Sequence, residues 1–134
     1  MTDQELELFL REPNLARLAT INPDGTPHLV PIWYLHDGGD LLIVTNTASR
    51  KVRNIRRDPR VTVCVDRPTP PYAGVVVHGI ATVEIVTYQA LAVPMAVRYL
   101  GHDAGVLIGE QYAHSDLATI RIPVGQPFTW DYSK

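Results

Sequence analysis

Two tight-turn signals, Asn22-Pro23-Asp24-Gly25 and Asp37-Gly38-Gly39-Asp40, stand between short apolar runs and restrict this chain more than any other feature. Pro early in a turn and Gly where the backbone goes left-handed close hairpins, so the flanking runs predict antiparallel strands. The first run, Leu15 to Ile21, alternates loosely and predicts a strand packed on both sides. Its return, about Thr26 to Leu35, holds Pro27 and Pro31, which cannot donate ladder hydrogen bonds and so predict an edge, a bulge or a strand end. Further strands are predicted at Leu41 to Val44, Arg60 to Asp66, Leu117 to Pro123 and the extended aromatic end from Pro127 to Tyr132. Val75 to Val86 predicts a long strand, with Gly79 marking a bulge or a close backbone approach.

Helical signals fall between these strand groups. Thr2-Asp3-Gln4-Glu5 is a capping box for a short amphipathic helix that Pro13 closes. Thr87 to Leu100 predicts a helix kinked or divided at Pro94 and ended by Gly101, and Asp103 to Tyr112 a second short one. Six or seven short strands with helices inserted between groups predict a mainly β antiparallel barrel rather than an alternating parallel α/β sheet. The length of 134 residues and the absence of a linker or repeat predict one domain over residues 1–134.

One stretch carries half of the positive charge. Six of the twelve Lys and Arg residues lie between Arg50 and Arg60, although the formal net charge is -2. The run Thr45-Asn46-Thr47-Ala48-Ser49-Arg50-Lys51 leads from a strand through a hydroxyl-rich cap into a helix that Pro59 stops. Arg50 and Lys51 then sit in the first turn, where the helix dipole already places positive charge and acidic residues are preferred. A Ser cap, free amide N–H groups and two cations at one helix N-terminus describe a phosphate cradle; the plainer alternative is a solvated basic helix face. Val52 and Ile55 form the narrow apolar face, and Arg53, Arg56, Arg57 and Arg60 read as solvated or interfacial. No Gly-x-x-x-x-Gly-Lys loop and no Gly-x-Gly-x-x-Gly turn is present, so a phosphate here is not held in those ways. A focused basic patch on a slightly acidic chain also argues against broad nucleic-acid binding.

Other chemistries find little support. The histidines His28, His36, His78, His102 and His114 lack zinc-site spacing, and no Cys-x-x-Cys occurs, so no metal site is expected. His28 and His78 lie in strands and read as packed or hydrogen-bonded residues. Ser49 and Ser115 are explained by capping or turns, so no Ser-His-acid hydrolase emerges and no catalytic residue is assigned. Cys64 is the only cysteine, which excludes an intrachain disulfide and fits a reducing compartment. The acidic start lacks an apolar signal core and no run is long enough for a membrane helix, so a soluble, cytoplasmic protein is expected. Trp33, Tyr34, Tyr72, Trp130 and Tyr132 read first as core filling, with the strand 28 to 35 and the stiff loop around Tyr72 able to wall a flat ring bound near the phosphate.

The ordered set Leu18-Ala19-Thr20, Asp24-Gly25-Thr26-Pro27-His28, Val44 to Lys51, Asp58-Pro59-Arg60-Val61, Val77-His78-Gly79-Ile80-Ala81 and Trp130-Asp131-Tyr132 resembles the split β-barrel flavin and deazaflavin oxidoreductases related to pyridoxamine 5'-phosphate oxidase. That resemblance implies a six- to seven-stranded antiparallel split β-barrel of the FMN-binding type, and a homodimer with two cofactor sites at its interface. It implies that Ser49, Arg50 and Lys51 hold the cofactor phosphate, that Thr45 lies by the ring and ribityl chain, and that the main chain of Pro31, Ile32 and Trp33 faces the ring. Val30 and Leu35 stand where the vitamin B6 oxidases carry an Arg and a Lys, and their Arg-bearing C-terminus is replaced by Trp130-Asp131-Tyr132-Ser133-Lys134. Thr26-Pro27-His28-Leu29-Val30-Pro31, Pro71-Tyr72 and the Trp-Asp-Tyr end look more like the small members that use the deazaflavin coenzyme F-420. The resemblance therefore implies an oxidoreductase that moves a hydride to or from a conjugated small organic substrate, with F-420 favoured over FMN. The alternative is a non-catalytic flavin or deazaflavin carrier.

Overall fold

The computed structural model describes residues 1–84, 89–113 and 115–134. The elements follow in the order α1 (Asp3–Arg11), β1 (Ala16–Ile21), β2 (Pro27–Ile32), β3 (Leu35–Asp37), β4 (Asp40–Asn46), α2 (Arg50–Arg57), β5 (Arg60–Asp66) and β6 (Ala73–Ile80). They continue with β7 (Thr82–Glu84), α3 (Gln89–Leu100), α4 (His102–Ala113), β8 (Leu117–Pro123) and β9 (Phe128–Asp131). All pairings are antiparallel, in a sheet ordered β2-β1-β5-β6-β9 and a second ordered β3-β4-β8-β7. The mainly β split barrel expected from the sequence is present.

The barrel is split because two runs each feed both sheets. The return run does not continue to Leu35 as one strand: it ends at Ile32, and after Trp33 and Tyr34 the chain joins the other sheet as β3. The long run likewise breaks at Ala81, whose N–H donates to Pro59 O at 2.9 Å, so β6 and β7 lie in different sheets. Both corners turn apolar residues inward on each side of the bend, and hydropathy does not distinguish that from one continuous strand. Gly79 pairs in register with Val61, without a bulge. The expected strand end at 85–86, the helix start at 87–88 and His114 lie outside the described residues.

The core lies between the sheets. Leu18, Val63, Val65, Val75 and Val77 from one sheet meet Leu41, Ile43, Ile120 and Ile122 from the other, all essentially without solvent contact. Burial along β1 alternates strictly, with Ala16, Leu18 and Thr20 inward and Arg17, Ala19 and Ile21 only half-buried. The two-sided packing expected for that strand is therefore absent. Pro27 and Pro31 fit because β2 is an edge strand, where a missing N–H breaks no outer ladder bond.

The helices close the open parts of the barrel. α1 is capped by Thr2 and Glu5 in a reciprocal box, as expected. Pro94 lies within α3 without dividing it, and Gly101 ends the helix at φ +84°. α3 and α4 then pack as a hairpin through small residues: a Cβ on Gly109 would come within 2.6 Å of Val93 Cα, and one on Gly105 would strike the backbone of Val97. Among the described residues no helix is long and apolar enough to cross a membrane.

Candidate functional site

The basic helix α2 begins where β4 ends. Asn46 O accepts the Ser49 N–H at 3.0 Å, and Ser49 is the N-cap, its Oγ accepting from Val52 N–H at 3.4 Å. No acidic residue stands in the first turn, so Arg50 and Lys51 reinforce the positive helix end rather than offset it. Neither forms an ion pair among the described residues. Lys51 is half-buried, and burial pushes its ammonium pKa down, which marks a charge poorly supplied with water or counter-ion.

The underside of α2 fixes that charge on the sheet. Val52 and Ile55 are buried, as the helical spacing predicts, and Asn54 joins them at 1% exposure. Asn54 Nδ2 donates to Thr20 Oγ1 at 3.0 Å and to Asn22 Oδ1 at 3.1 Å, tying the helix to β1 and its turn. Arg57, expected to be solvated or interfacial, is exposed and also donates to Ile21 O and to Asn54 Oδ1, because the helix lies low enough on the hairpin for its guanidinium to reach those acceptors. Arg60 pairs with Asp58 and holds that carboxyl down at about 2, whereas Arg53 and Arg56 are exposed as expected.

His28 stands opposite Thr20 in the β1–β2 ladder, on the face that α2 covers. Its Nδ1 is buried without a hydrogen-bond partner. Its pKa is pushed down, first by desolvation and then by Arg50 and Lys51. Three cationic or ionisable groups thus converge; the nearby Asp24 carboxylate feels the charge of Arg50, but neither Arg50 nor Lys51 forms an ion pair among the described residues. His78, in contrast, lies on the opposite face of the sheet and bonds Thr62 Oγ1 at 2.9 Å.

A cavity of about 450 Å³ opens beside this cluster. Pro31, Ile32 and Trp33 form one side, Val44, Thr45 and Asn46 another, with Leu15 and Leu117 completing the barrel wall. The hairpin α3–α4 adds Ala92, Met95 and Tyr112. None of the described lining residues carries a formal charge. The structure therefore gathers Thr45, Pro31, Ile32 and Trp33 around one cavity and leaves Ser49, Arg50 and Lys51 outside it, one turn beyond Asn46. His28 lies three residues before Pro31 on β2, about 10 Å at strand rise. An uncharged slot with a cationic cluster at that distance suits a ligand with a flat apolar body and an anionic end. Among the described residues no group of His, Cys, Asp and Glu is arranged to hold a metal.

The model of the pyridoxamine 5'-phosphate oxidase family matches residues 2–130. The chain belongs to that family. Among solved structures, this family member is similar to the conserved hypothetical protein Rv2991 from Mycobacterium tuberculosis, at 31% identity over 98% of this chain and 86% of that one, with a TM-score of 0.82. A protein described as an F420 reductase is 26% identical over 91% of this chain and 94% of its own, with a TM-score of 0.73. An FAD-binding protein from Mesorhizobium loti shares the fold at 22% identity, covering 96% and 92% of the two chains, with a TM-score of 0.67.

Some features of this oxidase-family site escape a reading of the sequence. Tyr72 does not wall the cavity: its loop runs along the far edge of the barrel, where Tyr72 O accepts from Tyr132 N–H at 2.8 Å. Trp130 packs over Gly74 on the outer sheet face, and Tyr34 is buried with its hydroxyl donating to Leu10 O at 2.9 Å. Asn54 and His28 were legible only as a polar residue in a basic helix and a strand histidine. The cavity residues of the hairpin, Ala92, Met95 and Tyr112, have the same apolar helical spacing as core residues, so no sequence signal separates them.

Proposed function

We propose that this protein binds a phosphate-bearing flavin or deazaflavin and uses it in an oxidoreductase reaction on an uncharged, conjugated small molecule, with F-420 favoured over FMN. The observation that carries this reading is a cavity whose described lining is uncharged, beside Arg50 and Lys51, which form no ion pair among the described residues, with the buried Nδ1 of His28 lacking a partner. These residues fit the group. The Ser49 cap, Arg50 and Lys51 would hold the phosphate, and the main chain of Pro31, Ile32 and Trp33 with Thr45 would lie along the ring. The bound ring supplies two-electron transfer. The protein's own part is to fix position, through the anion grip at one end and the apolar walls at the other, and to exclude water from the slot.

The lack of charge in the cavity disfavours a phosphorylated vitamin B6 substrate, which would need a second cationic grip there. The preference for F-420 is supported by the 26% identity to the protein described as an F420 reductase and by the absence of the Arg and Lys that the B6 oxidases carry on the second strand. We read residues 1–134 as one cofactor-binding unit, and its reducing, cytoplasmic setting from its single free cysteine, Cys64. We also infer a homodimer. The outer face of the five-stranded sheet carries Leu29, Ile80 and Phe128, each more than half exposed, around a shallow groove lined by Ala19, Ile21 and Pro27. A second copy of this face is the partner that would cover it.

Separate absorbance titrations with FMN and F-420 test the reading. Saturable binding of at least one at micromolar concentration is expected, and no binding of either overturns it. Replacing Arg50 and Lys51 together by Ala should weaken the bound cofactor by roughly 2–5 kcal/mol. An unchanged affinity would return the cluster to plain surface.

A further inference from the structure

We propose that the Trp33 side chain, backed by Tyr99, is a stacking platform for one face of a flat, uncharged conjugated ring in the cavity. This rests on the reading above and assigns a role to a side chain where that reading uses only main chain. Trp33 and Tyr99 lie 5.1 Å apart between centroids and are parallel to within 6°. Tyr99 is not among the residues that line the cavity, whereas Trp33 is. One face of the indole is thus covered by a ring outside the cavity, while Trp33 itself lines the cavity.

The backing ring is firmly held. Tyr99 Oη donates to Asn14 O at 2.8 Å and accepts from Tyr34 N–H at 3.1 Å, which fixes it to both chain segments that flank Trp33 in space. Its neighbour Arg98 donates to Leu10 O, Arg11 O and Glu12 O, at 3.0, 2.9 and 2.7 Å, and so anchors α3 on the end of α1. The Arg98 guanidinium also lies 5.4 Å from the Tyr99 ring centroid and 4.7 Å from that of Tyr34. An indole clamped in this way has little rotamer freedom left to lose when a ligand stacks on it. Among the described lining residues only Trp33 and the half-exposed Tyr112 carry aromatic rings, the rest being aliphatic, thioether or, at Thr45 and Asn46, small and polar. Tyr99 is accordingly a positioning residue and Trp33 the contact.

The ring could be that of the cofactor or that of the substrate, and absorbance distinguishes them. An electron-rich indole stacked on an electron-poor tricyclic ring gives a weak absorption tail at longer wavelength than the ring's own band. FMN, F-420 and lumiflavin, an uncharged flavin ring without phosphate, are titrated into the wild-type protein. A tail that grows with FMN or F-420 assigns the platform to the cofactor. A tail that grows only when lumiflavin is added to cofactor-saturated protein assigns it to the substrate. Binding of a cofactor with no tail in either titration overturns the platform and leaves the phosphate grip standing; no cofactor binding at all overturns the functional reading instead. In Trp33→Leu the tail should vanish and affinity for the stacked ring should fall by about fivefold to tenfold. Tyr99→Leu should weaken both, and Tyr99→Phe, which keeps the ring, should retain most of the tail. Should Tyr99→Leu not fold, Trp33→Leu decides, since it leaves the Tyr99 anchors in place. An unchanged spectrum and affinity in Trp33→Leu overturns the proposal.

Discussion

Asn54 Nδ2 donates to Thr20 Oγ1 across 3.0 Å, with both residues almost fully buried. That bond sets the height of α2 on the sheet, and therefore where Arg50 and Lys51 stand relative to His28. Replacing Asn54 by Ala leaves Thr20 without its partner in a dry place and removes the link to Asn22. A loss of about 1–3 kcal/mol is expected from chemical denaturation. Thr20→Val in the Asn54→Ala background should add little, because the bond is already gone. Additive losses would show that the two residues act independently.

His28 gives the protein a pH dependence of definite sign. Its folded pKa lies below the ordinary value, so between that value and about pH 6.5 the unfolded chain binds more protons than the folded one. Stability should therefore rise with pH on the acid side of about pH 6.5. The carboxylates held down by hydrogen bonds, Asp24 by Thr26 and Asp58 by Arg60, titrate at lower pH and lose their contribution only there. His28→Gln should flatten the slope in denaturation curves taken just below about pH 6.5. A slope unchanged by that substitution would assign it to another group.

Gly74 has no room for a side chain, because the indole of its cross-strand neighbour Trp130 lies where a Cβ would go. Gly74→Ala should cost about 1–3 kcal/mol through overpacking. In a Trp130→Ala background the same change should be nearly neutral, a non-additivity that thermal unfolding of the four proteins measures directly.

The outer sheet face carries Leu29 at 64% and Phe128 at 68% exposure. Sedimentation of the wild-type protein should show a dimer, and Leu29→Asp with Phe128→Asp should give monomers by placing charges in the contact. A wild-type monomer at the concentrations used for cofactor binding would refute the dimer.

Much of the fold is legible in the sequence because local chemistry decides it. The Asn22–Gly25 and Asp37–Asp40 turns, the Thr2 box, the Ser49 cap and the Pro59 stop act within a few residues, and each marks an element end in the structure. The cationic cluster was visible for the same reason, since the conflict of Arg50 and Lys51 with a helix dipole is a matter of one turn. The corners at Trp33–Tyr34 and Ala81 were not visible. They depend on which sheet a strand joins, and alternating hydrophobicity reads the same on either side of such a bend.

The sequence by itself determined the antiparallel hairpins, the strand-cap-helix order and the concentration of cationic side chains at the start of α2, because these follow from φ preferences, missing donors and charges close along the chain. Only the tertiary structure decided that the α3–α4 hairpin closes the cavity with Ala92, Met95 and Tyr112, and that Tyr99 backs Trp33 from 66 positions away. It also decided that Tyr72 stands elsewhere. The physical reason is common to all three: a wall is made by side chains whose apolar spacing is that of any core residue, and only the packing of one helix against another selects which of them face the empty space.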